Sequence, residues 1–486
     1  MHFDRRRFLL SAAATGAVSL SRRGWAATSP AKAVFTIAGD KPLAAVPQNF
    51  IGLSYESAQL EHPSFFSAEN KDLIGFVRTL GESGVLRIGG NMSEFTRWSS
   101  TGSVNAADSQ GVEGPDAGAG SARTFVITPL AIDHLNEFLQ ATNWNLIYGL
   151  NLAGSTPEMV AQEAAYVAKA VGPRLIAFQL GNEPDLFNHG SSKDPKDRWQ
   201  YAEFIERWKL FEKTLRSKVP NAPLAGPDVS YRTDWIEKFS QDTAGKVSLL
   251  TSHYYAEGPP TDPVMNIDYL LTQQSRFQSH ITNAVEVSRK VGRPYRVAEC
   301  NSCYRGGKKG TSDTFASALW AGDFLCEVAS LGATGVNLHG GADGFYTPIA
   351  GSQAAGFAAR PMYYGMLLAR PLLGAAILSS DLQAAGTNLT AYAARKDDAL
   401  MAFVFNKDRR PVTLDLHLAA DQASGTAEVT RLTAPTIDAT SRIRLGGRAV
   451  AKNGLWDSAA PEIIRGDAGS FSLSMPAYSA AAVKFL

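Results

Sequence analysis

The chain has 486 residues, 45% of them hydrophobic, with 43 glycines and 24 prolines. That length suits a large barrel with a smaller partner domain, and the apolar content is enough for a sizeable core. Lys and Arg number 47 against 46 Asp and Glu, a formal net charge of +1; so even a balance sets up no global field for nucleic acid or a membrane surface, and an anionic ligand has to be captured locally.

The first 33 residues stand apart. Arg5-Arg6-Arg7-Phe8-Leu9 is a twin-arginine pattern, an apolar stretch runs on to about Leu20, and small residues offer cleavage sites near Ala26 or Ala33. The stretch is too short and too rich in Ala and Ser to span a membrane, and no later segment reaches about 18 apolar residues. The expectation is a signal peptide over 1–33 and a protein exported to the periplasm or secreted, free of the membrane after processing.

Residues 34–48 hold a short apolar run, Val34–Ile37, expected to add a strand to a C-terminal sheet. From Phe50 onward short apolar runs alternate with longer amphipathic ones. The apolar runs are Phe50–Ser54, Val85–Ile88, Asn145–Leu150, Leu175–Leu180, Leu224–Pro227, Val247–Ser252, Tyr295–Ala298 and Gly335–Leu338. Helical patterns lie between them, among them Lys71–Leu80, Pro129–Ala141, Pro157–Ala170, Asp197–Arg216 and Ser312–Leu331. Continuous apolar strands separated by helical segments imply parallel strands covered by helices. A series of eight predicts a closed (β/α)8 barrel over 49–373, which leaves no exposed edge. An open doubly wound sheet fits less well, because no G-x-G-x-x-G follows the first strand. Ser99–Ser121, rich in Gly, Ser, Ala and Asp, follows the second strand and predicts a long loop on the active-site face.

Beyond Leu373 the helical periodicity stops. Leu389–Ala394, Ala399–Asn406, Pro411–Leu418, Ala427–Leu432 and Phe471–Leu486 read as strands with Gly, Asp, Asn and Pro turns, predicting an all-β sandwich over 374–486. Three cysteines make no disulfide framework. Cys300 and Cys303 have C-x-x-C spacing but no second pair or His partners for zinc, a bridge between them stays open, and Cys326 reads as core. No metal or cofactor is expected.

Active sites of such barrels lie at the C-terminal strand ends. The fourth strand ends in Gly181-Asn182-Glu183-Pro184 and the seventh in Glu299, so each lifts a carboxylate into the barrel mouth. Cleavage of a glycosidic bond needs such a pair, one carboxyl protonated to serve the departing oxygen and one ionised to attack the anomeric carbon. Retention of configuration calls for carboxyl groups about 5–5.5 Å apart. Asn182 can donate to a sugar 2-hydroxyl, and Tyr254 or Tyr255 can donate to the ionised Glu299.

At these residues the sequence resembles clan A of the glycoside hydrolases and, more closely, glycoside hydrolase family 79, the family of heparanases and exo-β-glucuronidases. The likeness is carried by Leu86-Arg-Ile-Gly-Gly-Asn91, Leu180-Gly-Asn-Glu-Pro184, Ser252-His-Tyr-Tyr255, Glu299, Tyr304-Arg-Gly-Gly307, Ser312-Asp-Thr-Phe-Ala316 and Gly344-Phe-Tyr346, in that order along the barrel. The resemblance implies Glu183 as acid/base, Glu299 as nucleophile and Tyr254 against the nucleophile. It also implies Tyr304, Gly306 and Tyr346 around a uronate carboxylate, Glu56 on sugar hydroxyls and Asn91 in the cleft wall. Neutral phenols and backbone N–H groups can bind a carboxylate without adding a charge beside the Glu pair. Arg305 stands where human-type heparanases carry Gly, and Arg305-Gly-Gly-Lys308-Lys309 is the one comparable basic run. With the balanced net charge this favours removal of a terminal β-glucuronic acid over internal cleavage of heparan sulfate or hydrolysis of a neutral β-glycoside.

Overall fold

The computed structural model describes residues 30–486 except 103–123, 191, 193, 273–274, 342–343, 385 and 420–424. The twin-arginine segment and nearly all of the Ser99–Ser121 loop therefore lie outside the described residues. Among the described residues no helix is long and apolar enough to cross a membrane.

A first strand, β1 (Ala31–Ala45), precedes β2 (Ile51–Glu56) and β3 (Val85–Gly89); a short parallel pair follows, β4 (Thr96–Trp98) and β5 (Phe125–Ile127). Then come β6 (Asn145–Leu150), β7 (Leu175–Leu180), β8 (Leu224–Val229), β9 (Leu249–Glu257), β10 (Tyr295–Cys303) and β11 (Val336–Gly340). Strands β2, β3 and β6 to β11 close into a parallel eight-stranded barrel, with β11 pairing back onto β2. Their apolar runs are buried on both faces, because the lumen fills with side chains and helices cover the outside. Val85, Ile147, Ala177 and Ala225 make a small apolar plug of their own inside the barrel. The helices start where the sequence supplies caps: Thr128 and Thr156 accept from the N–H of Ala131 and Met159, each ahead of a proline in the first turn.

After a small hairpin, β12 (Ile349–Ser352) and β13 (Gly356–Ala359), the chain forms the rest of a second sheet: β14 (Ala376–Gln383), β15 (Leu389–Lys396), β16 (Ala399–Asn406), β17 (Val412–Leu418), β18 (Thr426–Thr433), β19 (Arg444–Leu445), β20 (Glu462–Arg465), β21 (Ser470–Met475) and β22 (Ser479–Phe485). With β1 these nine make one ten-stranded mixed sheet, curled around a core of its own that includes Phe35, Val404, Leu414, Leu473 and Val483. The stretch Phe471–Leu486 is two strands, β21 and β22, divided at Pro476, which has no N–H to continue a ladder. Strand β1 pairs antiparallel with β14 and parallel with β17. Its Ala31, Lys32 and Ala33 face Val412, Thr413 and Leu414, so processing at Ala33 would cut into a paired strand.

The sheet domain also grips the barrel. The helix Phe315–Leu331, which follows β10, has no side-chain cap; the N–H groups of Phe315 and Ala316 donate instead to the carbonyls of Ala439 and Ile437. Cys300, Cys303 and Cys326 are buried and unbridged.

Candidate active site

The polar residues inside the barrel mouth come from strands that are otherwise apolar. Arg87 on β3 is fully buried and makes a fan of contacts. Its Nη1 donates to Glu299 Oε2 at 2.5 Å and to Ser54 Oγ at 3.2 Å, while Nη2 donates to Asn182 Oδ1 and Asp228 Oδ2, both at 2.7 Å. Its Nε donates to Gln179 Oε1 at 3.0 Å. A guanidinium can serve such a ring because its donors are fixed in a planar fork.

Glu183 and Glu299 are drawn together as the strand positions require. One oxygen of each carboxyl and one ring nitrogen of His253 all lie within 4.8 Å of one another. So close an approach of two carboxyl oxygens is compatible with a retaining pair, whose carboxyl groups stand about 5–5.5 Å apart. Glu183 sits just past β7 in the left-handed region, at φ 50° and ψ 53°, a strained backbone for a residue with a Cβ. Its N–H donates to the carbonyl of Asp228 at 3.0 Å, which helps to hold that conformation.

The two carboxyls live in opposed electrostatic settings. Burial raises Glu183, and the charges of Glu299 and Asp185 add to that against the pull of His253. Burial alone would also raise Glu299, but His339, His253 and Arg87, with a hydrogen bond from Tyr255, outweigh it and hold the carboxyl well below the usual range. His253 Nδ1 lies 2.9 Å from Glu183 Oε1, and its Nε2 lies 3.1 Å from Asp228 Oδ2. Burial disfavours its charge, yet Asp228 and Glu299 prevail and lift it to about 10. Glu183, His253 and Glu299 could present three ligand atoms to a metal, but each is already engaged in these contacts and the Arg87 cation stands against Glu299.

Asn182 has its amide orientation fixed on both sides. Its Oδ1 accepts from Arg87, and its Nδ2 donates to Asn91 Oδ1 at 2.9 Å, leaving one N–H for a ligand hydroxyl. Glu56 accepts the Met92 N–H at 2.8 Å and lies 3.6 Å from His339 Nε2. Beside it Gly90 has φ +76°, and a Cβ there would come within 2.2 Å of the Glu56 carboxylate.

Tyr254 does not reach the site. It is 2% exposed, with its ring stacked on Phe324 at 5.3 Å and edge-on to Phe277, among the helices outside the barrel. Tyr255 makes the contact instead, its hydroxyl donating to Glu299 Oε1 at 2.7 Å. The reason is strand alternation: Thr251, His253 and Tyr255 share the inner face of β9, while Ser252 and Tyr254 share the outer one.

A cavity of about 430 Å³ opens next to the pair, with Glu56, Glu61, Met92, Gly306, His339 and Tyr346 among its walls. Gly306 (φ +83°) accepts the Tyr346 N–H at its carbonyl. Tyr304 is not in that wall; its ring meets Tyr255 edge-on at 6.3 Å. The sequence pattern alone does not single out Arg87, Gln179, Asp228, His253 or His339. All five are nine-tenths or more buried. The available signal was a lone charged or amide side chain within or just past an apolar parallel strand, a costly placement that calls for a partner.

Comparison with known proteins agrees with this architecture. Residues 86–326 match the profile of the glycosyl hydrolase family 79 N-terminal domain. A beta-glucuronidase of Neurospora crassa is 26% identical over 338 residues, covering 62% of this chain but 58% of that protein. One of Aspergillus niger is 25% identical over 398 residues, covering 72% and 70%, and the heparanase of Rattus norvegicus is 28% identical over 266 residues, 51% and 47%. In three dimensions the chain superposes with a TM-score of 0.71 on a 4-O-α-L-rhamnosyl-β-D-glucuronidase from Fusarium oxysporum, at 18% identity, over 93% of this chain and 100% of that one. The barrel with its curled sheet is therefore a fold known among glycoside hydrolases, and residues 86–326 carry the N-terminal domain pattern of glycosyl hydrolase family 79.

Proposed function

We propose that the protein is a retaining β-glucuronidase that removes terminal β-linked glucuronic acid by double displacement, with Glu183 as acid/base and Glu299 as nucleophile. The observation that carries the reading is the contrast between the two carboxyls, one raised and one held low, with an oxygen of each within 4.8 Å. Ionised Glu299 attacks the anomeric carbon as Glu183 gives its proton to the glycosidic oxygen, which leaves with the bonding electron pair. Glu183, now ionised, takes a proton from water; the hydroxide equivalent attacks the same carbon, and the ester to Glu299 breaks. Asn182 meets the 2-hydroxyl, and Glu56 meets hydroxyls farther along the ring.

A uronate is supported by Tyr346 and Gly306 in the cavity wall and by Tyr304 behind Tyr255. The described walls include Glu56 and Glu61 and no Lys or Arg, which disfavours a heavily sulfated polymer and so the endo reading. The names of the Neurospora and Aspergillus relatives agree with the glucuronide assignment. We place the reaction in the periplasm or outside the cell on the Arg5-Arg6-Arg7 pattern, a placement checked by fractionating cells that express the full chain.

The test is release of nitrophenol from aryl β-glucuronide, glucoside, galactoside and xyloside, with the first-formed sugar anomer read by NMR. A β-anomer from the glucuronide alone is expected. Equal turnover of a neutral sugar would remove the uronate, and an α-anomer would remove retention.

A further inference from the structure

We infer that Asp228, which is not in the wall of the cavity beside the pair, is a positioning residue that keeps His253 as an imidazolium so that the proton of Glu183 goes to the leaving group. The inference rests on the acid/base role proposed for Glu183.

Asp228 is placed with care by the backbone. The register between β8 and β9 slips between Pro227 and Val229, leaving Asp228 as the extra residue of a bulge with φ +61°. A bulge of this kind re-aims a side chain, here into the barrel, where it is 1% exposed. Its Oδ1 accepts from Gln179 Nε2 at 2.5 Å, and its Oδ2 takes both Arg87 Nη2 at 2.7 Å and His253 Nε2 at 3.1 Å. Its backbone carbonyl accepts the N–H of Glu183. Asp228 is thus one residue removed from Glu299 through Arg87, one removed from Glu183 through His253, and bonded to Glu183 by the main chain.

The hydrogen-bond logic at His253 then has two cases. With Asp228 ionised, both ring nitrogens carry protons, and Nδ1–H donates to Glu183 Oε1. The acidic proton of Glu183 resides on Oε2, free for a glycosidic oxygen. With a neutral ring whose proton stays on Nε2 toward Asp228, Nδ1 becomes an acceptor. Glu183 then donates its proton to Nδ1, and the leaving group loses its acid. The charges facing the ring are Arg87 from β3, Glu183 beyond β7, Asp228 from β8 and Glu299 from β10, with Tyr255 on its own strand. Arg87 disfavours the imidazolium and pairs with Glu299 and Asp228 alike, but Asp228 also touches the ring at Nε2, so its carboxylate decides the state of the ring.

The experiment is Asp228→Asn, near-isosteric and uncharged, assayed on aryl glucuronides of graded leaving-group acidity. A roughly hundredfold or greater loss is expected with a poor leaving group such as phenol, and a much smaller one with dinitrophenol, which departs without a proton. The alkaline limb of the phenyl substrate's pH profile should move to lower pH, because a ring without its anionic partner gives up its proton earlier. Equal losses across all leaving groups, or an unmoved limb, overturn the inference. Should the variant not fold, the wild-type protein answers: the His253 ring signals, assigned through His253→Gln, are expected to be those of an imidazolium at pH 8, and a neutral ring overturns the idea. The ring state is read without substrate, so failure to cleave a glucuronide would remove the proposed function and leave this measurement standing.

Discussion

Arg87 Nη1 lies 2.5 Å from Glu299 Oε2, joining the second and seventh strands of the barrel across 212 residues of sequence. Lys in its place would keep the charge but not the fork that also serves Ser54, Asn182, Asp228 and Gln179. Arg87→Lys is expected to lower kcat/KM on an aryl glucuronide roughly 10²–10³-fold. Arg87→Met would leave Glu299 and Asp228 buried without their cation, a loss of about 3–5 kcal/mol in urea unfolding.

The neighbouring tyrosines of β9 separate a site contact from a packing contact. Tyr255→Phe removes one hydrogen bond to an ionised carboxylate, about 1.5–3 kcal/mol, and kcat should fall roughly ten- to hundredfold. Glu299 sits below its ordinary value, partly through that bond, so its loss lets the carboxyl rise. Activity needs Glu299 ionised, and the acid limb of the profile therefore moves to higher pH. Tyr254→Phe should leave rate and profile unchanged, since that ring faces Phe324.

Tyr346→Phe tests the sugar assignment. Its hydroxyl is proposed to meet the uronate, so KM for the glucuronide should rise roughly tenfold. A neutral aryl glycoside, if cleaved at all, should respond little. A parallel loss on both would assign Tyr346 to packing against Tyr255.

Away from the site, Glu163 is buried with the Tyr148 hydroxyl donating to it at 2.7 Å, and burial raises it to about 7 despite that bond. A carboxyl raised on folding is protonated more readily in the folded state. Its penalty is absent below the unfolded value near 4.3, and it grows until the pH passes the folded value near 7. Glu163→Gln should therefore stabilise the protein by up to about 2 kcal/mol at pH 8 and by nothing at pH 4. Thermal unfolding at the two values checks this.

The barrel was legible because each strand is an uninterrupted apolar run, and Glu183 and Glu299 because they end two of those runs. What could not be read was parity and closure. Tyr254 and Tyr255 are adjacent, and only the strand's register decides which one points inward. Arg87, Gln179, Asp228, His253 and His339 each look like a lone polar residue within an apolar run; their meaning appears only when the barrel closes and sets them side by side. In the second domain β15 to β18 alternate or run apolar, whereas β20, with Glu462 and Arg465 exposed, offers almost no pattern.

The place of β1 between β14 and β17 sets an order of events during synthesis. In the sheet sequence β14-β1-β17-β21, removing β1 parts the last two strands from the other six of that path. The first described strand thus emerges from the ribosome early and must wait, unpaired, until Ala376–Leu418 has been made. The barrel between them has all its strands before that point and can assemble as the chain lengthens. Closure of the sheet is then the late, long-range step, and a slow final folding phase should belong to it rather than to the site it braces.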